Sequence, residues 1–267
     1  MSLLVQPGPE TGTFGFEFLA FRTLRLAPGQ TLEEDTGARE LAIVPLGGTC
    51  SVRSTAGDFA SVGGRAHVFS GLPHTLYLPI ETRFTLTAGG DCDLAFCYSK
   101  AEQRHPAALI GPSGVRVEIR GGGNATRQIN HMIQPEFAAH RILVCEVYTP
   151  GGNWSSYPPH KHDVHNPPAE VDLEELYYYR VGRPGGFAIQ RVYTADRRID
   201  ETLTVRDGEM VLVPEGYHPV AAAHGYDVYY LNVLAGPVRS MAASDDPQHG
   251  WVRETWRETD PRLPLVQ

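Results

Sequence analysis

At 267 residues the chain exceeds a typical single domain of roughly 100 to 200 residues and suits two packed β-units. A net charge of -8, a pI near 5.7 and the lack of any Lys/Arg-rich block exclude electrostatic capture of nucleic acid or anionic lipid, leaving a small molecule as the expected partner. The start, Met1 to Thr13, carries Gly, Pro and Glu where a signal peptide needs a basic end and an apolar core, and no stretch approaches the ~20 apolar residues of a membrane span; a cytoplasmic protein is expected.

With 28 Gly and 21 Pro breaking short apolar runs, the pattern predicts strands joined by turns, an all-β protein. In chain order, ELAIVPLG (Glu40–Gly47) and FTLTAGGDCDLAFCYS read as strands of a first unit. Short helices fit only near Ser99–Leu109 and Pro135–Ala139. The glycine run and polar residues of Gly111–Ile133 suit a connection, so the units are expected at 1–120 and 121–267. After it HRILVCEVYTP opens the second unit as a strand. The cysteines Cys50, Cys92, Cys97 and Cys145 lie in or beside apolar runs without CxxC spacing, which predicts buried free thiols.

The halves repeat one another. ELYYYRVG (Glu175–Gly182) matches ELAIVPLG at an offset of 135 residues, and GEMVLVPEGYH (Gly208–His218) parallels GRAHVFSGLPH (Gly64–His74) at an offset of 144. Unequal loops inside duplicated units account for the difference.

The chemistry sits in the second half. In PPHKHD, His160 and His162 are two apart, so on a strand both imidazoles project to one face, about 7 Å apart. Glu175 begins a following strand, and His218 follows a Pro-Glu-Gly turn after MVLV. Three His and one carboxylate suit one divalent transition ion, Zn, Mn, Fe, Ni or Co. Glu174 is a rival carboxylate, and His165 a remoter candidate in a Pro-rich loop. By the Pro28-Gly29 turn, the first-half positions matching the two histidines are Gln30 and Leu32, so that half is expected to be a metal-free scaffold with Glu40 and His74 as structural relics.

Glu175-x6-Gly182, Gly208-x5-Pro214-x-Gly216 and the His-x-His pair resemble the two cupin motifs, with an inserted loop, Asp163 to Glu174, between His162 and Glu175. The segments NWSSYPPHKHD, LEELYYYR, GFAIQRVYT, VLVPEGYHPV and YYLNVLAGP resemble the 5-deoxy-glucuronate isomerase family of bacterial inositol catabolism, related to the ketol-isomerases of pectin breakdown. The resemblance implies a duplicated cupin, or bicupin, of two jelly-roll barrels with its metal held by His160, His162, Glu175 and His218, Zn or Mn being favoured. It further implies aldose-ketose isomerisation of a sugar acid, 5-deoxy-D-glucuronate to 5-dehydro-2-deoxy-D-gluconate, through an enediolate.

For the proton relay the candidates are Tyr177 and Tyr179, which share Glu175's face by alternation, and Glu146, an acid in an otherwise apolar strand. For the substrate carboxylate the candidates are Arg191, mid-strand in GFAIQRVYT, and Arg180. The Asp163–Glu174 loop is read as either a lid or an ordered wall. Competing readings are a pectin-type uronate isomerase, an Fe(II) dioxygenase on the same ligands, and a non-catalytic sugar-binding cupin. Strands exposed at barrel edges allow a homodimer.

Overall fold

The computed structural model describes residues 2–267. Two compact units form, one from Pro7–Arg116, Met132–Val144 and Val266–Gln267, the other from residues up to Gln6 together with Val117–His131 and Cys145–Leu265. Segments therefore pass between the two halves of the sequence, and a single cut at residue 120 does not describe them.

In the first unit a five-stranded sheet runs in the order Ala108–Ile110, Thr75–Leu78, Arg39–Gly47, Cys92–Lys100, Leu19–Leu26. A four-stranded sheet, Thr31–Asp35, Arg83–Ala88, Thr49–Ser54, Gly57–Gly63, completes it. Leu41, Ile43, Leu76, Leu78 and Phe96 from one sheet meet Val52, Phe84 and Leu86 from the other in a single core. Alternate residues of each strand face this core, as a two-sheet sandwich requires, and each large aliphatic chain buried there contributes roughly 1.5–3 kcal/mol.

The second unit repeats the plan. Its large sheet runs Leu4–Val5, Met210–Val213, Glu174–Val181, Val228–Ala235, Leu143–Thr149, Arg127–Ile133, Arg116–Arg120, and its smaller one Trp154–Ser155, Val220–Ala222, Ala188–Tyr193, Asp200–Val205. Tyr177, Tyr179, Val211, Val213, Val228 and Tyr230 pack there against Ala188, Val192, Val205 and Val220. Among the described residues no helix is long and apolar enough to cross a membrane.

Three expectations are corrected. Neither Ser99–Leu109 nor Pro135–Ala139 is helical; among the described residues the helices are short 3-10 turns at Val68–Ser70, Pro112–Gly114, Gly123–Ala125 and Gly250–Thr255. The connection expected over Gly111–Ile133 contains two strands of the large sheet, Arg116–Arg120 and Arg127–Ile133, the latter buried throughout despite its Arg, Gln, Asn and His. The repeat also aligns differently. Val68–Ser70 is a 3-10 turn, and the counterpart of MVLV is Thr75–Leu78, so His74 precedes its strand where His218 follows. Leu41 opposes Leu78 where Glu175 opposes Val213, so Leu41 matches Glu175, and Glu40 matches Glu174 on the other face. A one-residue slip in a strand exchanges its faces.

Glu40 is fully buried on the face away from the core. Its carboxylate accepts the backbone N–H groups of His140 (2.8 Å), Arg141 (2.6 Å) and Ile142 (2.7 Å) and the Tyr77 hydroxyl (2.8 Å). Gln30 caps the Ala27 N–H at 2.7 Å, and Leu32 packs on the first core. All four cysteines are free and buried.

Candidate metal centre

Alternation decides which side chains reach the interior of the second unit. On Glu174–Val181, Tyr177 and Tyr179 belong to the core, so Glu175 shares their face while Glu174 and Arg180 take the other. Leu173 and Val171 anchor the inserted loop by burial, and the Leu173 N–H donates to the His162 carbonyl at 2.9 Å. On the far side Gly216 allows the chain to turn into His218. Its φ is +88°, and a Cβ there would stand 2.5 Å from the Tyr193 carbonyl oxygen.

These elements bring one ligand atom each from His162, Glu175 and His218 within 4.8 Å of one another, all three residues buried. Glu175 Oε2 lies 2.7 Å from His162 Nε2 and 3.1 Å from His218 Nε2. Its other oxygen accepts from Asn232 Nδ2 at 2.5 Å. The second nitrogen of each histidine faces a carbonyl: His162 Nδ1 to Leu173 at 3.1 Å and His218 Nδ1 to Gly216 at 2.8 Å. His160 stands beside the trio, half-buried. Its ring lies edge-on 4.8 Å from that of His218, and its Nδ1 lies 3.4 Å from the Pro158 carbonyl.

Donation from Nδ1 to a carbonyl fixes the tautomer and leaves the Nε2 lone pair pointing inward, the usual second contact of a metal-bound imidazole. With both rings neutral, two such lone pairs converge on a carboxylate oxygen, where either a proton on Nε2 or a bound cation satisfies them. Nε2 of His218, fully buried, has no hydrogen-bond partner of its own. The donor set and this orphaned atom fit a divalent transition ion.

Burial pushes the Glu175 carboxyl up, but His218 and His162 outweigh it and hold it well below the usual carboxylate range. Burial opposes a charge on His162, yet the Glu175 carboxylate raises its pKa overall. Burial, reinforced by His218, presses His160 well below its ordinary value, so it presents a neutral imidazole. Burial followed by the Glu175 charge lifts the Tyr177 phenol well above its ordinary value; for Tyr179, burial and Tyr230 do the same.

Of the remaining candidates, the structure brings Tyr177 beside the centre, packs Tyr179 behind it in the core, and leaves the others outside. The Tyr177 ring centroid is 5.8 Å from that of His218, and its hydroxyl is 3.1 Å from Ser156 Oγ. Tyr179 donates to Gln190 Oε1 at 2.8 Å. Glu146 is corrected: Cys145 and Val147 fill the core face of its strand, so Glu146 points away, accepting from the hydroxyls of Tyr229 (2.9 Å) and Tyr148 (3.2 Å). Arg191 is corrected likewise. Ala188 and Val192 face the core, whereas Arg191 turns outward into a two-point ion pair with Asp200 at 2.8 and 2.9 Å. Arg180 pairs outside with Asp207 at 3.1 Å.

The inserted loop is pinned. Lys161 bridges Asp163 and Glu170, Glu170 Oε1 accepts the N–H groups of Asp163 (2.9 Å) and Val164 (3.0 Å), and Asp163 accepts the Gly216 N–H at 2.8 Å. His165 is exposed on its outer part. Sequence reasoning missed Asn232, which orients Glu175, and Arg127, a buried cation in the barrel. Period-two counting back from Glu175's paired strand would have found Asn232, opposite Tyr177.

Fold and site together define a duplicated cupin in which one unit carries a cluster of imidazoles around a carboxylate. Comparison with known proteins agrees: an oxalate decarboxylase from Lactobacillus farciminis superposes with a TM-score of 0.64 at 12% identity, covering 92% of this chain and 88% of that one, a likeness of fold alone. The KduI/IolB family matches residues 4–252, and the chain belongs to that family. A relative from Geobacillus thermodenitrificans (strain NG80-2), named 5-deoxy-glucuronate isomerase, is 45% identical over 253 residues, 94% of this chain and 92% of its own. The crystal structure of an IolB-like protein from Salmonella typhimurium LT2 superposes with a TM-score of 0.90 at 38% identity, covering 94% of this chain and 99% of that one.

Proposed function

We propose that the protein is a metal-dependent isomerase converting 5-deoxy-D-glucuronate to 5-dehydro-2-deoxy-D-gluconate, with His160, His162, Glu175 and His218 as metal ligands. The observation that carries this reading is the convergence of His162, Glu175 and His218 on one point inside a barrel whose family relatives are named for that reaction. Zn or Mn is the favoured ion, since imidazole and carboxylate donors accept both.

The reaction moves a proton from C2 to C1 of the open-chain aldehyde and converts the C2 hydroxyl into the ketone. A divalent ion at the centre supplies Lewis-acid polarisation of the substrate oxygens. The chain's own residues do the rest. Asn232 holds Glu175 in its orientation, and the Leu173 and Gly216 carbonyls hold His162 and His218 in theirs. Tyr177, kept protonated by burial and by Glu175, pairs with Ser156 in a hydroxyl relay suited to passing a proton between the two substrate oxygens. Val211, Val213, Val220 and Val228 line an apolar interior that excludes water from the reactive intermediate.

Incubation of the metal-loaded protein with 5-deoxy-D-glucuronate in D₂O, followed by NMR, tests the reading. The expected result is the ketose with deuterium at the new CH₂OH carbon, or retained hydrogen there if the transfer is shielded from solvent. Turnover of the pectin-type uronate in place of this substrate moves the reading to the other branch of the KduI/IolB family. Oxygen consumption without isomerisation contradicts both.

A further inference from the structure

Arg127 opens a strand in which Ile129 belongs to the core, so its side chain shares the interior face, and it is only 5% exposed. It lies within electrostatic reach of Tyr230, His160, the Glu118 carboxylate and two further arginines, Arg120 and Arg253. Those two are neutralised: Arg120 by Glu118 at 2.7 Å and Arg253 by Asp245 at 2.5 Å. Arg127, among the described residues, has no carboxylate at ion-pair distance. Its Nη1 donates to the carbonyls of Ala125 (3.2 Å) and Tyr157 (3.3 Å).

A buried guanidinium without a carboxylate at ion-pair distance is costly, and its planar fork matches a carboxylate in a two-point contact. The surroundings hold that fork in place. The Trp256 ring lies 5.7 Å from the guanidinium carbon, and its buried Nε1–H has no acceptor. The Tyr157 carbonyl that steadies Arg127 is joined through Pro158 and Pro159 to His160, so one short segment serves both this cation and the metal centre.

We propose that Arg127, with Trp256 beside it, anchors the carboxylate of a sugar-acid substrate whose carbonyl end lies at the His162–Glu175–His218 centre. This rests on the isomerase reading and assigns to Arg127 the part expected of Arg191. The oriented cation discriminates acids from neutral sugars of the same shape.

The test compares 5-deoxy-D-glucuronate with 5-deoxy-D-glucose, which carries CH₂OH in place of the carboxylate, on wild type, Arg127→Lys and Arg127→Gln. The expected result is a KM for the acid raised about 10- to 100-fold in Arg127→Gln, with kcat falling less and the preference for acid over neutral sugar largely lost; Arg127→Lys restores part of it. Equal losses on both sugars overturn the proposal, because a merely structural arginine gives that pattern. Thermal unfolding of each variant is measured first, and if Arg127→Gln does not fold the ratio is taken from Arg127→Lys. If wild type turns over neither sugar, the isomerase reading fails while the anchor remains testable by calorimetry with D-glucuronate and D-glucose. A wild-type preference for the acid that the variant loses then supports Arg127, and a preference that is absent or survives overturns it.

Discussion

Asn232 donates its Nδ2 hydrogen to Glu175 Oε1 at 2.5 Å, which leaves Oε2 to face His162 and His218. The pairing follows from register: Asn232 opposes Tyr177 across the strand pair, two residues along the same face from Glu175. Without this contact the carboxylate is free to rotate away from the imidazoles. Asn232→Leu is expected to weaken metal binding about 10- to 100-fold while the fold persists, as read by chelator competition. An affinity within twofold of wild type removes Asn232 from its positioning role.

Glu40 shows the opposite use of a buried carboxylate. It ties three consecutive backbone N–H groups, those of His140, Arg141 and Ile142, to the strand Arg39–Gly47. Glu40→Ala strands those donors without partners, and urea unfolding should show a loss of about 3–5 kcal/mol. A loss below about 1 kcal/mol implies that water reaches the gap.

Arg191 has its charge satisfied by Asp200 on the outer face, with its side chain 40% exposed. Arg191→Ala is therefore expected to leave the KM for the sugar acid within about twofold, the usual scale of a surface substitution. A tenfold rise returns Arg191 to the substrate site.

Glu118 accepts from Arg120 and lies 2.8 Å from His131. The Arg120 hydrogen bond, with His131 adding to it against burial, pulls its pKa from 4.5 down to about 2. A carboxyl depressed in the folded state stabilises it above the unfolded value and loses that contribution as pH falls. Stability should therefore decline between pH 4.5 and about 2, and Glu118→Gln should flatten this decline. The size is modest because solvent screens the group. Identical slopes for the two proteins in pH-dependent urea unfolding contradict the assignment.

The legibility of the site varied with the kind of evidence each residue offered. His162, Glu175 and His218 were readable because their spacing combines strand alternation with a Pro-Gly turn, both local properties. Glu146 and Arg191 were misplaced because a lone charge in an apolar strand does not reveal which face meets the core; the neighbours Cys145 and Val147, and Ala188 and Val192, decide that in three dimensions. The match of Glu40 to Glu175 aligned letters correctly and faces wrongly, since one residue of slip in a strand is invisible in the sequence yet reverses every side chain. Arg127 and Asn232 were overlooked for a different reason. Polar residues beside a glycine run look like a loop, whereas a barrel that holds a polar ligand buries polar strands.

The most direct test of the account removes the metal and returns it in measured amounts. After chelation, with residual metal determined by elemental analysis, the protein should lose turnover of 5-deoxy-D-glucuronate. Titration with Mn or Zn should restore it at one equivalent per chain in wild type and fail to do so in His162→Ala. Full turnover by protein shown to hold no metal, or undiminished turnover in His162→Ala, would contradict a reaction centred on His162, Glu175 and His218.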